Sequence, residues 1–388
     1  PETLLGGLTP EAFLREYWQQ KPLLVRGAWP GFTSPLAPEE LAGLACEDDV
    51  TSRLLLERGG DGPWQMRFGP FDPDDFAALP ASHWTLLVQE VDRLVPDVAD
   101  VLDAFRFLPN WRIDDVQISY APPEGNAGAH LDNYDVFLLQ GLGRRRWRYG
   151  AAPIPPDEER YVPDLDVRLL AGFEAAHEAV LEPGDLLYLP PRVAHHGVAL
   201  DACMTYSIGF RAPTQAELLE GFAAFAADAA DPHARYADPA LDRPTHVGDL
   251  PAPTRRAIRD LLRRALADDD AIDRWFGRYV TEPRRGLYAA PLGEPVEPGE
   301  LAAMLAEGLR LRRAAVAAFA FFEEDGGGAR LFAGGAEYAL HPDLAWAAPL
   351  ITGTIPLTAA ALGHRLEDPD FLGLLAELVN EGHLIVDE

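Results

Sequence analysis

Apolar positions along this chain follow successive rhythms, and each predicts a different kind of structure. Thr9-Pro10-Glu11 reads as a helix start, with an N-cap residue followed by proline and an acid in the first turn. The segment "PEAFLREYWQQ" then predicts a helix ending before Pro22, and "PLLVRGAW" predicts a strand. Short β-like and helical pieces alternate to about Asn110. From Arg112 to about Arg211 the pattern is strand after strand: "DDVQISYA", "YDVFLLQ", "RRRWRYG", "AVLEPGDLLYLP" and "MTYSIGFRA". Glycine and proline turns separate them, as in an antiparallel sandwich or barrel.

After Pro213 the period becomes helical. Thr214 and Glu217 form a capping box, followed by Leu218, Phe222 and Phe225 at helical spacing. Ile258, Leu261, Leu262 and Ala265 form a second stripe, and Ile272, Trp275, Phe276 and Tyr279 a third. Such stripes are core or, in a helical insert beside a barrel, a dimer seam. The Pro-rich piece "APLGEPVEPGE" marks a boundary near residue 290. Beyond it, Phe371, Leu374, Leu375 and Leu378 form another stripe, with Gly382 where a helix C-terminus favours glycine. Strand, helix, helix and then "HLIV" as a strand is an order compatible with a winged helix. The expected divisions are 1–212, 213–290 and 291–388.

Composition narrows the class. A chain of 388 residues, 48% of them hydrophobic, can bury two or three cores. The longest apolar run, around Ala314–Phe322, is far shorter than a membrane-spanning helix requires. The first residues lack the basic-then-apolar pattern of a signal peptide. Cys46 and Cys203 are too few for a disulfide framework or a thiolate metal cage. A reducing cytoplasm is the expected compartment. The net charge of −29 argues against general nucleic-acid affinity and favours a basic partner. Residues 300–388 hold 14 acids against 5 arginines, so the winged-helix-like module is not expected to bind DNA.

Candidate chemistry begins at "GAHLDNYDVFLLQ". In a strand, residues i and i+2 share a face, so His130 and Asp132 could converge on one point. Two histidines and one carboxylate leave coordination positions open and suit non-haem Fe(II) oxygen chemistry. The third ligand is read from the second cupin motif, Gly-x5-Pro-x-Gly-x2-His. Counting from Gly184 through Pro190, with Arg192 standing where the motif has glycine, selects His195. His196, one residue on, should face the other way.

"HLDNYDVFLLQGLGRRRWRYG", "PGDLLYLPPRVAHHG" and "MTYSIGFRAP" resemble the JmjC-type 2-oxoglutarate oxygenases. Within that group they resemble the bacterial ribosomal oxygenases, which hydroxylate an arginine of the sixteenth large-subunit ribosomal protein. The N-terminal "YWQQKPLLVRGA" resembles that family's opening as well. The resemblance implies an α+β chain: a double-stranded β-helix (cupin/JmjC) barrel, a helical dimerisation segment and a C-terminal winged-helix-like domain. It implies Fe(II) on His130, Asp132 and His195, with 2-oxoglutarate and dioxygen as cosubstrates. It assigns Arg145 to the 5-carboxylate of 2-oxoglutarate, a role suited to a bidentate guanidinium, and Ser119 beside it. Parity agrees, because Arg145 shares a face with Trp147 and Tyr149. Asp115 and Tyr134 are assigned to the substrate guanidinium. Thr205 stands where relatives would have asparagine.

The implied partners are a basic ribosomal protein and a second copy of the chain. Two other readings are open from sequence: an oxygenase acting on another protein residue, such as histidine, or a demethylase; and a non-catalytic acidic cupin that only binds protein.

Overall fold

The computed structural model describes residues 3–57, 64–165, 167–239, 241–243, 246–283 and 289–387. The chain divides into two compact units, Pro1–Ala212 and Pro213–Glu388. The helices after Pro213 and the tail beyond residue 290 belong to the same unit.

Among the described residues, the first unit carries eleven strands: β1 (Leu23–Val25), β2 (Ser52–Glu57), β3 (Trp64–Phe68), β4 (Trp84–Val88), β5 (Ile113–Ala121), β6 (Asp135–Leu142), β7 (Arg145–Tyr149), β8 (His177–Leu181), β9 (Leu186–Leu189), β10 (His195–Ala199) and β11 (Cys203–Phe210). An antiparallel sheet of eight runs β1-β9-β6-β11-β5-β4-β2-β3, and a smaller one runs β10-β7-β8. From β5 onward the chain crosses repeatedly between the two sheets. It visits the large sheet in β5, β6, β9 and β11 and the small one in β7, β8 and β10. This is a double-stranded β-helix.

The run expected to open a strand at His130 does not. Strand β6 begins at Asp135, and the preceding pass over the small sheet is reduced to two isolated bridges, Asn126 to Val198 and His130 to His195. Pairing to β10 is thereby kept while Leu131–Tyr134 stay free of a ladder.

The central strands are apolar on both faces, as expected where each face is covered. On β6, Phe137 and Leu139 join a core with Phe13, Phe105, Tyr188, Tyr206 and Phe210 beneath the N-terminal segments. Val136 and Leu138 face the other way, into the barrel, with Trp147, Tyr149, Leu181, Leu187 and Leu189. Each such side chain contributes on the order of 2 kcal/mol of burial. The helix Pro10–Glu16 is capped by the Thr9 hydroxyl and lays Phe13 against the rings of Phe137 and Tyr188.

In the second unit the capping box at Thr214 and Glu217 is formed, and it starts the helix Gln215–Asp228. Phe222 packs edge-on to Trp275 of the helix Asp269–Thr281. That helix lies against a three-stranded sheet, β13 (Phe319–Glu323), β14 (Ala329–Ala333) and β15 (Ala336–Leu340). A second sheet pairs β12 (Arg310–Arg313) with β16 (Leu357–Thr358) and β17 (Leu384–Asp387). The helix Pro369–Asn380 buries Phe371, Leu374, Leu375 and Leu378. Gly382 follows with φ 77°, the left-handed turn that lets the chain leave the helix for β17.

Candidate metal centre

The bridge between His130 and His195 is a matched pair of backbone bonds: each N–H donates to the other's carbonyl, at 3.0 and 2.8 Å. The pairing sets the two imidazoles 4.3 Å apart between centroids. Asp132 reaches the same point two residues on, with Oδ2 3.6 Å from His195 Nε2. One potential ligand atom from each of the three lies within 4.8 Å of the others, and this is the only such cluster among the described residues. Convergence therefore comes from a two-residue bridge and a loop rather than from one face of a strand.

Both rings are oriented by the backbone. His130 Nδ1 lies 3.0 Å from the Gly128 carbonyl and His195 Nδ1 lies 3.0 Å from that of Val193. A carbonyl only accepts, so each Nδ1 carries the proton and each Nε2 is left with its lone pair. Burial, and then the neighbouring His130, push His195 down to about 4, which keeps that lone pair available. His196 turns away, as its strand parity requires, to Asn126 Oδ1 at 3.2 Å.

Strand β7 delivers the second feature. Arg145, Trp147 and Tyr149 are buried and face the barrel interior, while Arg148 is exposed. Arg145 Nη1 donates to Ser119 Oγ at 3.3 Å, but its Nε and Nη2 are buried with no hydrogen-bond partner. A buried guanidinium with two idle donors costs free energy unless an anion meets it. These groups fit 2-oxoglutarate: a dicarboxylate would satisfy Arg145 with one end and reach the metal ligands with the other. Thr205 sits opposite Ser119 in the β11–β5 register, and its hydroxyl donates to Gln140 Oε1 at 3.1 Å. Gln140 escaped the sequence reading. Its signal was a lone amide in the apolar run of β6, in register with the inward residues Val136 and Leu138.

Asp115 and Tyr134 line one wall. A side chain at Gly209 would touch both, 3.4 Å from Asp115 Oδ1 and 3.8 Å from the Tyr134 ring. Asp115 is buried and accepts the Glu90 N–H at 3.1 Å, so its burial does not wait on a ligand. Tyr134 is 41% exposed. Asp132, then burial, then Asp115 and Asp114 hold its phenol well above the usual range. Behind this wall, burial raises Asp92 to about 7, with Asp115 adding to the effect against the Val116 N–H that it accepts. Several carboxyl groups thus gather around Tyr134.

A double-stranded β-helix with a His-Asp-His cluster and an interior guanidinium defines a 2-oxoglutarate-dependent oxygenase of the JmjC type. The JmjC domain family matches residues 100–218, and the ROXA-like winged helix family matches 264–385. The chain is 37% identical to the ribosomal protein uL16 3-hydroxylase of Escherichia coli, over 96% of both chains. A probable ribosomal oxygenase of Haemophilus influenzae is 35% identical over 77% of this chain and 75% of its own. The solved structure of the E. coli ribosomal oxygenase YcfD with cobalt and 2-oxoglutarate superposes with a TM-score of 0.84 at 36% identity, covering 98% of this chain and 99% of that one. The chain belongs to the ribosomal oxygenase family.

Proposed function

We propose that the protein is an Fe(II)- and 2-oxoglutarate-dependent hydroxylase of an arginine side chain in ribosomal protein uL16. The whole-length likeness to the E. coli uL16 3-hydroxylase carries this reading. His130, Asp132 and His195 would hold the iron, and Arg145 with Ser119 would bind the far carboxylate of 2-oxoglutarate. When bound, iron with 2-oxoglutarate and dioxygen supplies oxidising power enough to hydroxylate an unactivated carbon, with succinate and carbon dioxide as co-products.

The chain's own part is positioning and electrostatics. The Nδ1–H bonds to Gly128 and Val193 hold both imidazoles in the metal-binding tautomer. Arg145 neutralises the cosubstrate and fixes its direction along the barrel. Asp115 and Tyr134 receive a cationic side chain, and the carboxylates around Tyr134 favour arginine over histidine as the target. With net charge −29, the protein attracts a basic ribosomal protein before that protein is covered by RNA.

A homodimer belongs to the same reading. On the helix Ala252–Ala265 no residue is buried, and Ile258, Leu261 and Leu262 are exposed on the stripe the sequence marks as apolar. A second copy is the partner this stripe fits, and the cytoplasm is the compartment in which the substrate is made. The test is the intact mass of uL16 from cells with and without the gene. The reading expects one oxygen atom on one arginine in the first and none in the second; identical masses overturn it.

A further inference from the structure

Arg192 stands where the cupin motif ordinarily has glycine, and its backbone has φ 67°, the left-handed region that glycine enters freely. Its N–H donates to the Asp132 carbonyl at 2.6 Å, which ties the turn before His195 to the ligand loop. The side chain then reaches in three directions. Nε donates to the Ile154 carbonyl at 2.8 Å, Nη1 to Asn133 Oδ1 at 3.1 Å, and Nη2 to Glu159 Oε1. Glu159 is held in turn by the Tyr161 hydroxyl at 2.5 Å and by Arg168 at 3.9 Å.

Ile154 and Glu159 lie in the long connection between β7 and β8, residues 150–176. This connection folds back on both ligand histidines. The Leu170 N–H donates to Ala129 at 2.8 Å, and the Gly150 N–H donates to Ala194 at 2.9 Å, each next to a histidine in sequence. A cavity of about 470 Å³ lies within it, lined by Gly150, Ile154, Arg160, Leu170, Phe173 and Ala194. Asn133, on the other side of Arg192, adjoins the exposed Tyr134.

We propose that Arg192 is a positioning residue, a clamp that fixes the 150–176 connection against the metal-ligand loop so that the connection forms a rigid wall beside the incoming polypeptide. A planar guanidinium serves three acceptors at fixed angles, which a lysine cannot do. This role rests on the proposed protein-hydroxylase reading, but the clamp itself is a property of the fold.

The test uses R192G and R192K in the full chain. Glycine suits the local φ, so R192G retains the turn and loses only the side-chain bonds. Cobalt and 2-oxoglutarate should bind R192G within about twofold of wild type, because none of the three lost side-chain bonds touches a metal-ligand side chain or Arg145. Hydrogen exchange within 150–176 should rise by roughly tenfold or more, the effect of losing hydrogen bonds to a charged group. KM for uL16 should rise by about tenfold while kcat falls by less than about threefold, since the wall shapes binding more than chemistry. R192K should recover part of the exchange protection through Glu159 alone. Wild-type exchange in R192G overturns the clamp. A loss of cobalt affinity that matches the rise in KM also overturns it, by making Arg192 a support for the metal ligands instead. If wild-type protein leaves uL16 unmodified, the hydroxylase reading fails, and the exchange comparison still decides the clamp.

Discussion

Replacing Arg145 by methionine should make the empty protein more stable while removing its grip on 2-oxoglutarate. In the structure, Nε and Nη2 of Arg145 are buried and idle, while Nη1 donates to Ser119 Oγ at 3.3 Å. Two unsatisfied buried donors on a charged group cost together roughly 3 kcal/mol, and the Ser119 bond returns about 1. Methionine fills the same space with no polar atom, so the R145M variant should gain about 2 kcal/mol. For a unit of this size that is a Tm rise of roughly 4–8 °C. Cosubstrate binding should move the other way: losing the buried partner of a carboxylate costs at least 2–5 kcal/mol, or about a hundredfold in affinity. Calorimetric melting of metal-free protein gives the first quantity, and titration of 2-oxoglutarate into cobalt-loaded protein gives the second. A fall in Tm would refute the view that this guanidinium waits for an anion, and so would unchanged 2-oxoglutarate affinity.

In the metal-free protein His195 should make acid destabilising, whereas Asp92, raised to about 7, acts in the opposite direction. His195 is held down to about 4 against an ordinary value near 6.5, so below about pH 6.5 the unfolded chain binds the proton first and stability falls until about pH 4. The His195 share of the change in unfolding free energy between pH 7 and pH 5, read from urea titrations of wild type against the H195N variant, should be about 2 kcal/mol. At Gly197 a side chain would meet the Trp147 ring at 2.7 Å, so G197A should push that ring from its place beside His195. The cost is about 1–3 kcal/mol of overpacking, read by chemical denaturation, together with weaker cobalt binding. Capture of uL16 should slow as salt rises from low to physiological strength, because the attraction of a −29 protein for a basic one is screened within about 8–10 Å. A stopped-flow association rate that ignores salt would remove the electrostatic argument.

Much of the barrel is legible in sequence because its strands are buried on both faces and read as continuous apolar runs. The inward set of β7 is equally plain, since Trp147 and Tyr149 mark the face that Arg145 shares. The count from Gly184 ends on the histidine that lies beside His130 and Asp132, because the turn it describes is local. His130 was harder. Its bridge to His195 joins residues 65 apart and follows from the pairing of β10, which no local period encodes. The same limit applies to the helix Ala252–Ala265: a 3.6-residue stripe names an apolar face and says nothing of what packs on it. Arg192 looks like a defect in the motif until Ile154, Asn133 and Glu159 are seen around its guanidinium.

The most direct measurement is mass spectrometry of purified uL16 incubated with the protein, Fe(II), 2-oxoglutarate and dioxygen, beside a D132A control. One oxygen atom on a single arginine, formed in step with succinate and absent with D132A, is the predicted result. Unmodified uL16 alongside wild-type succinate formation would contradict the central claim, as would oxidation that survives the loss of Asp132.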